Sequence, residues 1–136
     1  DIERWEAENG RIPERSFVAF RSGWGRRRTY AEIENRDAEG TAHYPGWTVE
    51  ALTFLREERD VTAIGHEPAD TDPASVANTL GWVAEKYWLN GNRYQIELLV
   101  NLDRCPPTGA LIFCTFPRIK AGSGFTARCF ALVPEA

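Results

Sequence analysis

Methionine is absent from all 136 residues, and cysteine is scarce. The cysteines are Cys105, Cys114 and Cys129, an odd number with no C-x-x-C pair. Cys114 and Cys129 lie in apolar stretches, where a free thiol acts as a small hydrophobe; this usage predicts a reducing, cytoplasmic setting. No apolar run approaches the roughly 18 residues a membrane helix needs, and no signal peptide is visible. A basic excess is missing too. The net charge is −4 and the pI about 5.2, so nothing argues for a nucleic-acid partner. The cluster Arg26-Arg27-Arg28 is followed by Glu32 and Glu34 and reads as a solvated loop. Also absent are G-x-S-x-G, H-E-x-x-H and a cysteine with a flanking catalytic histidine, which sets aside self-contained hydrolases of those kinds.

What is present suits a packed protein. Hydrophobic residues make up 43% and charged residues 26%, which predicts one globular domain over residues 1–136. The chain opens on DIERWEAENG, already helical in pattern and without an initiator methionine, which raises the expectation of a processed or partial product.

Ile2 and Trp5 share one side of that first helix. SFVAF, residues 16–20, reads as a strand, and RSGWGRRRTY as a loop broken by Gly23 and Gly25. HYPGW carries turn chemistry at Pro45-Gly46. TVEALTFLREER, 48–59, is an amphipathic helix that Thr48 can cap. VTAIG, 61–65, is a short buried strand, and the order strand, helix, strand predicts a parallel pair. HEPADTDP, 66–73, forms a loop past that strand, where open α/β sheets gather ligands. Residues 74–89 are partly helical and NGN, 90–92, is a turn. ALIFCTF, 110–116, and FTARCFALV, 125–133, are the last strands.

The stretch YQIELLVNL, 94–102, raises the chemical question. Glu97 interrupts an apolar run, and glutamate is rarely buried unless it is paired or binds a metal. Ile96, Leu98, Leu99 and Val100 are expected inside. If a helix carries Glu85 and a strand carries Glu97, the NGN turn folds one toward the other. Two such carboxylates would share a proton or hold a cation. Alternatively, Glu85 sits on a wet helix face and Glu97 pairs with Arg93 or Arg128. His66 stands with Glu67, Asp70 and Asp72 in a loop that suits either a metal or a simple turn. Trp24, Trp82, Trp88 and Phe125 could line a pocket or fill the core.

Several segments in order resemble the second half of the metal-dependent cyclase family. They are SFVAFRSGWG, HYPGWTVEALTFLREERDVTAIG, VTAIGHEPADTDP, AEKYWLNGNRYQIELLVNLDRCPPTGALIF and KAGSGFTARCFALVP. That family includes bacterial kynurenine formamidase and isatin hydrolase. The resemblance covers nearly the whole chain and implies an α/β fold of the swivelling β/β/α type, incomplete here, with residues 1–136 as its C-terminal portion. It implies hydrolysis of an amide or lactam C–N bond using zinc or manganese, in a dimer or tetramer. A bound cation would lower the pKa of an attacking water from 15.7 toward about 7. Glu97 falls on the family's late metal-ligand glutamate. Glu85 stands where the family has a metal-binding histidine. Phe125 and Arg128 fall on a G-S-G-x-P-x-R-like stretch, with Thr126 in place of proline, and His66 stands where many members carry aspartate. These three are the candidate substrate contacts. No catalytic residue is assigned.

The family signature H-x-G-T-H-x-D, which supplies most of the metal ligands, has no match here. The expectation is that an N-terminal half or companion chain supplies those ligands and that the substrate is a small molecule. The alternative is a non-catalytic cyclase-fold subunit for small-molecule binding or assembly.

Overall fold

The computed structural model describes residues 1–135, in two compact units, one spanning Asp1–Leu102 and one from Asp103 onward. The expected mixed α/β architecture is present. In the first unit, helix α1 (Ile2–Asn9) ends at Gly10, and strand β1 (Phe17–Phe20) follows. Helix α3 (Val49–Thr53) starts at Thr48, whose hydroxyl accepts the Ala51 N–H, and runs into a π-helical turn over Phe54–Glu58. Strand β2 (Ala63–His66) then pairs parallel with β1, as the strand–helix–strand order predicts. Strand β3 (Tyr94–Ile96) pairs parallel with the other side of β2.

All four residues of β2 are buried because it is the central strand. Ile64 packs with Leu52, Leu55, Val61, Ala84 and Trp88 in the core. Arg59 donates twice to the Glu6 carboxylate, at 2.7 and 2.8 Å, tying α1 to the end of the long helical segment.

Three sequence expectations change. The stretch 21–30 is not a plain loop: Trp24–Arg26 form a 3-10 turn, and helix α2 (Tyr30–Glu34) begins in a capping box between Thr29 and Glu32. The helical stretch after residue 73 is two helices, α4 (Ala74–Leu80) and α5 (Val83–Asn90), separated at Gly81, whose φ is +72°. Leu98 and Val100 are exposed at 52% and 49%, because the chain leaves β3 after Ile96 and Leu98 takes a left-handed φ of +55°.

In the second unit, β4 (Leu111–Thr115) and β5 (Arg128–Leu132) form an antiparallel pair. The Phe113 and Phe130 rings stack across it at 4.9 Å. Among the described residues no disulfide joins the three cysteines. Among the described residues no helix is long and apolar enough to cross a membrane.

Candidate functional site

The site begins where β2 and β3 end side by side. Pairing continues past the strands: the Leu98 N–H donates to the Pro68 carbonyl at 3.1 Å, and the Leu99 N–H to the His66 carbonyl at 3.0 Å. These bonds hold Glu97 against residues 67–72. That loop is packed rather than solvated, with Pro68, Thr71 and Asp72 fully buried.

Asp72 is spent on the fold. Its carboxylate accepts the Ala84 N–H at 2.7 Å and the Glu85 N–H at 2.9 Å. A helix start leaves such N–H groups without intrahelical partners and carries partial positive charge, so a buried carboxylate is stabilised there. The same contact fixes the turn of α5 that carries Glu85. Asp70 accepts the Tyr44 hydroxyl at 2.6 Å, and Glu67 accepts the Ser22 hydroxyl at 3.2 Å.

Glu97 stands just beyond β3, exposed rather than presented by a buried strand. Solvent reaches its side chain, yet the protein around the carboxyl still disfavours charge. Burial, then the charges of Glu85 and Asp70, push its pKa up to about 7 against the pull of a Gln95 hydrogen bond. Glu85 is pushed up as well, by burial first and then by Asp70 and Asp72, with Lys86 opposing. The arginine pairing considered for Glu97 is not the contact found: Arg93 donates to Asp60 and to the Val61 carbonyl, whereas Glu97 accepts from Gln95 at 2.9 Å.

Excess negative charge and oxygen donors suit a hard divalent cation. The set is partial. Among the described residues, no group of three or more His, Cys, Asp or Glu is arranged to hold a metal ion.

His66, the last residue of β2, is completely buried, and among the described residues neither ring nitrogen has a hydrogen-bond partner. Burial lowers its pKa to about 4, so the imidazole is neutral near pH 7. Phe125 and Arg128 belong to the second unit, and both are exposed. Of the four aromatics considered for a pocket, Trp82 lines a cleft of about 410 Å³ in the first unit, with Tyr30, Tyr44, Asn78 and Asp70. Trp88 is core.

Sequence reasoning missed Gln95 and Thr71. The Thr71 hydroxyl donates to the Gln95 carbonyl oxygen at 2.7 Å, and Gln95 lies two residues before Glu97. The strand period of two was a usable signal for the second contact. The first spans 24 residues and had none.

A pH dependence follows. An acid whose folded-state pKa is raised holds its proton more tightly folded than unfolded. The contribution of Glu97 is fully present below its ordinary 4.5 and is lost as pH rises through about 7. In chelator, Glu97→Gln should therefore gain thermal stability relative to the parent between about pH 5 and about pH 8, the gap shrinking in high salt. A gap that does not change with pH would contradict the acidic environment. His66 loses its contribution as pH falls from 6.5 toward about 4, but it is common to both proteins and cancels.

Residues 1–73 match the Cyclase family model, described as "Putative cyclase". An isatin hydrolase of Roseibium aggregatum is 31% identical over 99% of this chain and 51% of its own length. The structure of isatin hydrolase A from Labrenzia aggregata bound to benzyl benzoate aligns with a TM-score of 0.88 at 40% identity, covering 98% of this chain and 52% of that one. Isatin hydrolase A from Ralstonia solanacearum gives 0.88 at 38% identity, covering 98% and 51%. An isatin hydrolase bound to the product analogue thioisatinate gives 0.89 at 30% identity, again covering 98% and 51%. The chain thus spans about half the length of the relatives it matches and shares their fold over that half. The family matched over more than half of its residues is the one its ordered segments resemble, and the chain belongs to the cyclase family.

Proposed function

We propose that this chain forms part of a metal-dependent hydrolase that opens an amide or lactam C–N bond, and that Glu97 is its ligand to a divalent cation. One observation carries the reading: Glu97 is accessible to solvent, and the charges of Glu85 and Asp70 oppose its own. A cation would relieve that repulsion. The likeness to isatin hydrolases over half their length supports the hydrolase class. The other ligands come from outside this chain, either from the N-terminal cyclase portion or from a companion chain. A divalent cation held there supplies Lewis acidity and lowers the pKa of water from 15.7 toward about 7. Oxygen donors favour manganese over zinc.

Within this chain, Glu97 offers a carboxylate oxygen and Glu85 is a second candidate donor. Asp72 anchors the helix that carries Glu85. Phe125 and Arg128 are assigned to the substrate: the guanidinium suits an anionic group and the ring a flat apolar one. The buried His66 is given no direct substrate contact.

The test uses the complete protein, meaning this chain with the residues that complete the cyclase domain. It should open an isatin-type lactam, lose at least about 99% of that rate on metal removal, and recover it with Mn²⁺ or Zn²⁺. Full activity in chelator would refute metal dependence. Metal binding without hydrolysis of any amide or lactam would favour the non-catalytic binding subunit, which Glu85 in a histidine position also suits.

A further inference from the structure

We propose that Thr71 and Gln95 act as a two-residue brace that orients the Glu97 carboxylate, and that this orientation sets how tightly the site holds a divalent cation. The inference rests on the reading of Glu97 as a metal ligand.

The brace starts from a fixed point. Thr71 is fully buried, and its carbonyl accepts the Trp47 N–H at 2.7 Å. Its neighbour Asp72 is held by two backbone N–H groups of α5. From this anchor the Thr71 hydroxyl donates to Gln95 Oε1 at 2.7 Å, and Gln95 Nε2 donates to Glu97 Oε1 at 2.9 Å.

The order of groups is dictated by chemistry. A carboxylate that holds a cation is ionised and only accepts, so in that state the amide turns its NH₂ toward Glu97. Its carbonyl oxygen then points away and needs a donor, which a hydroxyl can be. A flipped amide would set oxygen against oxygen at Glu97. Hydroxyl, amide and carboxylate thus form one directional chain across the gap between the 67–72 loop and β3.

This chain fixes one carboxylate oxygen. Among the described residues no hydrogen bond is recorded to the other, Oε2, which stays available to a ligand. The choice of glutamine also matters. It restrains Glu97 without neutralising it, whereas an arginine there would compete with a cation for the same charge. Groups that orient a metal ligand in this way affect affinity though they never touch the ion.

The two residues are positioning residues, and the experiment separates that role from general packing. Mn²⁺ is titrated calorimetrically into the complete protein. Gln95→Leu and Thr71→Val should each weaken binding about tenfold. Because they act in series, the double variant should bind no more weakly than the weaker single one, and Thr71→Ser should bind like the parent. Losses that multiply in the double variant would overturn the brace. So would unchanged affinity in Gln95→Leu, which carries the test alone if Thr71→Val does not fold. Unchanged affinity in Glu97→Ala would defeat the ligand reading and the brace together, whereas a loss confined to Glu97→Ala would defeat only the brace.

Discussion

Alanine at position 46 should lower the unfolding free energy of this protein by about 3 kcal/mol, the upper part of the usual range for overpacking. The added carbon would sit 2.5 Å from the Thr71 carbonyl oxygen, and closer still to the Asp72 carbonyl carbon and the Pro73 nitrogen. These are backbone atoms, so no side chain can swing away. The approach is also bonded on both sides: the Trp47 N–H donates to the Thr71 carbonyl at 2.7 Å, and the Ala74 N–H to the Tyr44 carbonyl at 3.0 Å. Parting the two segments breaks both bonds and shifts Thr71 and Asp72, which anchor Gln95 and α5. Gly124→Ala is the matched control. A carbon at Gly124 meets nothing within 4 Å, and its cost should stay within about 0.5 kcal/mol. Equal urea midpoints for Gly46→Ala and the parent would show that the loop is not packed as described.

Gly46 also marks what the sequence could and could not convey. Pro45-Gly46 reads as a turn from its chemistry, but the contact that demands glycine lies some 25 residues on, at 71–73. The parallel pairing of β1 and β2 was legible because a strand, an amphipathic helix and a second strand follow in order. Helix α2 was legible in principle from Thr29 and Glu32, whose spacing is that of a capping box, but the adjacent arginines and glycines read as a loop.

At the site, Glu97 stood out because a charge in an apolar run needs a reason. Its actual setting was not legible. Leu98 turns out of the strand with a positive φ, so the apolar run does not mean burial. The opposition of Glu85 and Asp70 to charge on Glu97 acts between residues on separate elements, which sequence spacing does not relate. Asp72 looked like a possible ligand, yet it caps a helix that starts more than ten residues later.

Removing the Glu97 carboxylate should weaken divalent-metal binding by the complete protein at least about a hundredfold, the upper end of what even outer-shell changes cost. On the proposed reading, alanine there deletes an oxygen donor to the cation. It also relieves the repulsion that a cation would otherwise offset, because Glu85 and Asp70 then face one fewer like charge. Glu97→Gln should lose most of the same affinity, since it keeps the shape and removes the charge.

Elemental analysis of the complete protein, dialysed after loading with Mn²⁺ or Zn²⁺, is the most direct measurement. The parent should retain about one or two divalent ions per site and Glu97→Ala nearly none, with folding of both checked by circular dichroism. Equal metal content in the two proteins, or none in either, would contradict the assignment of Glu97 as the ligand this chain contributes.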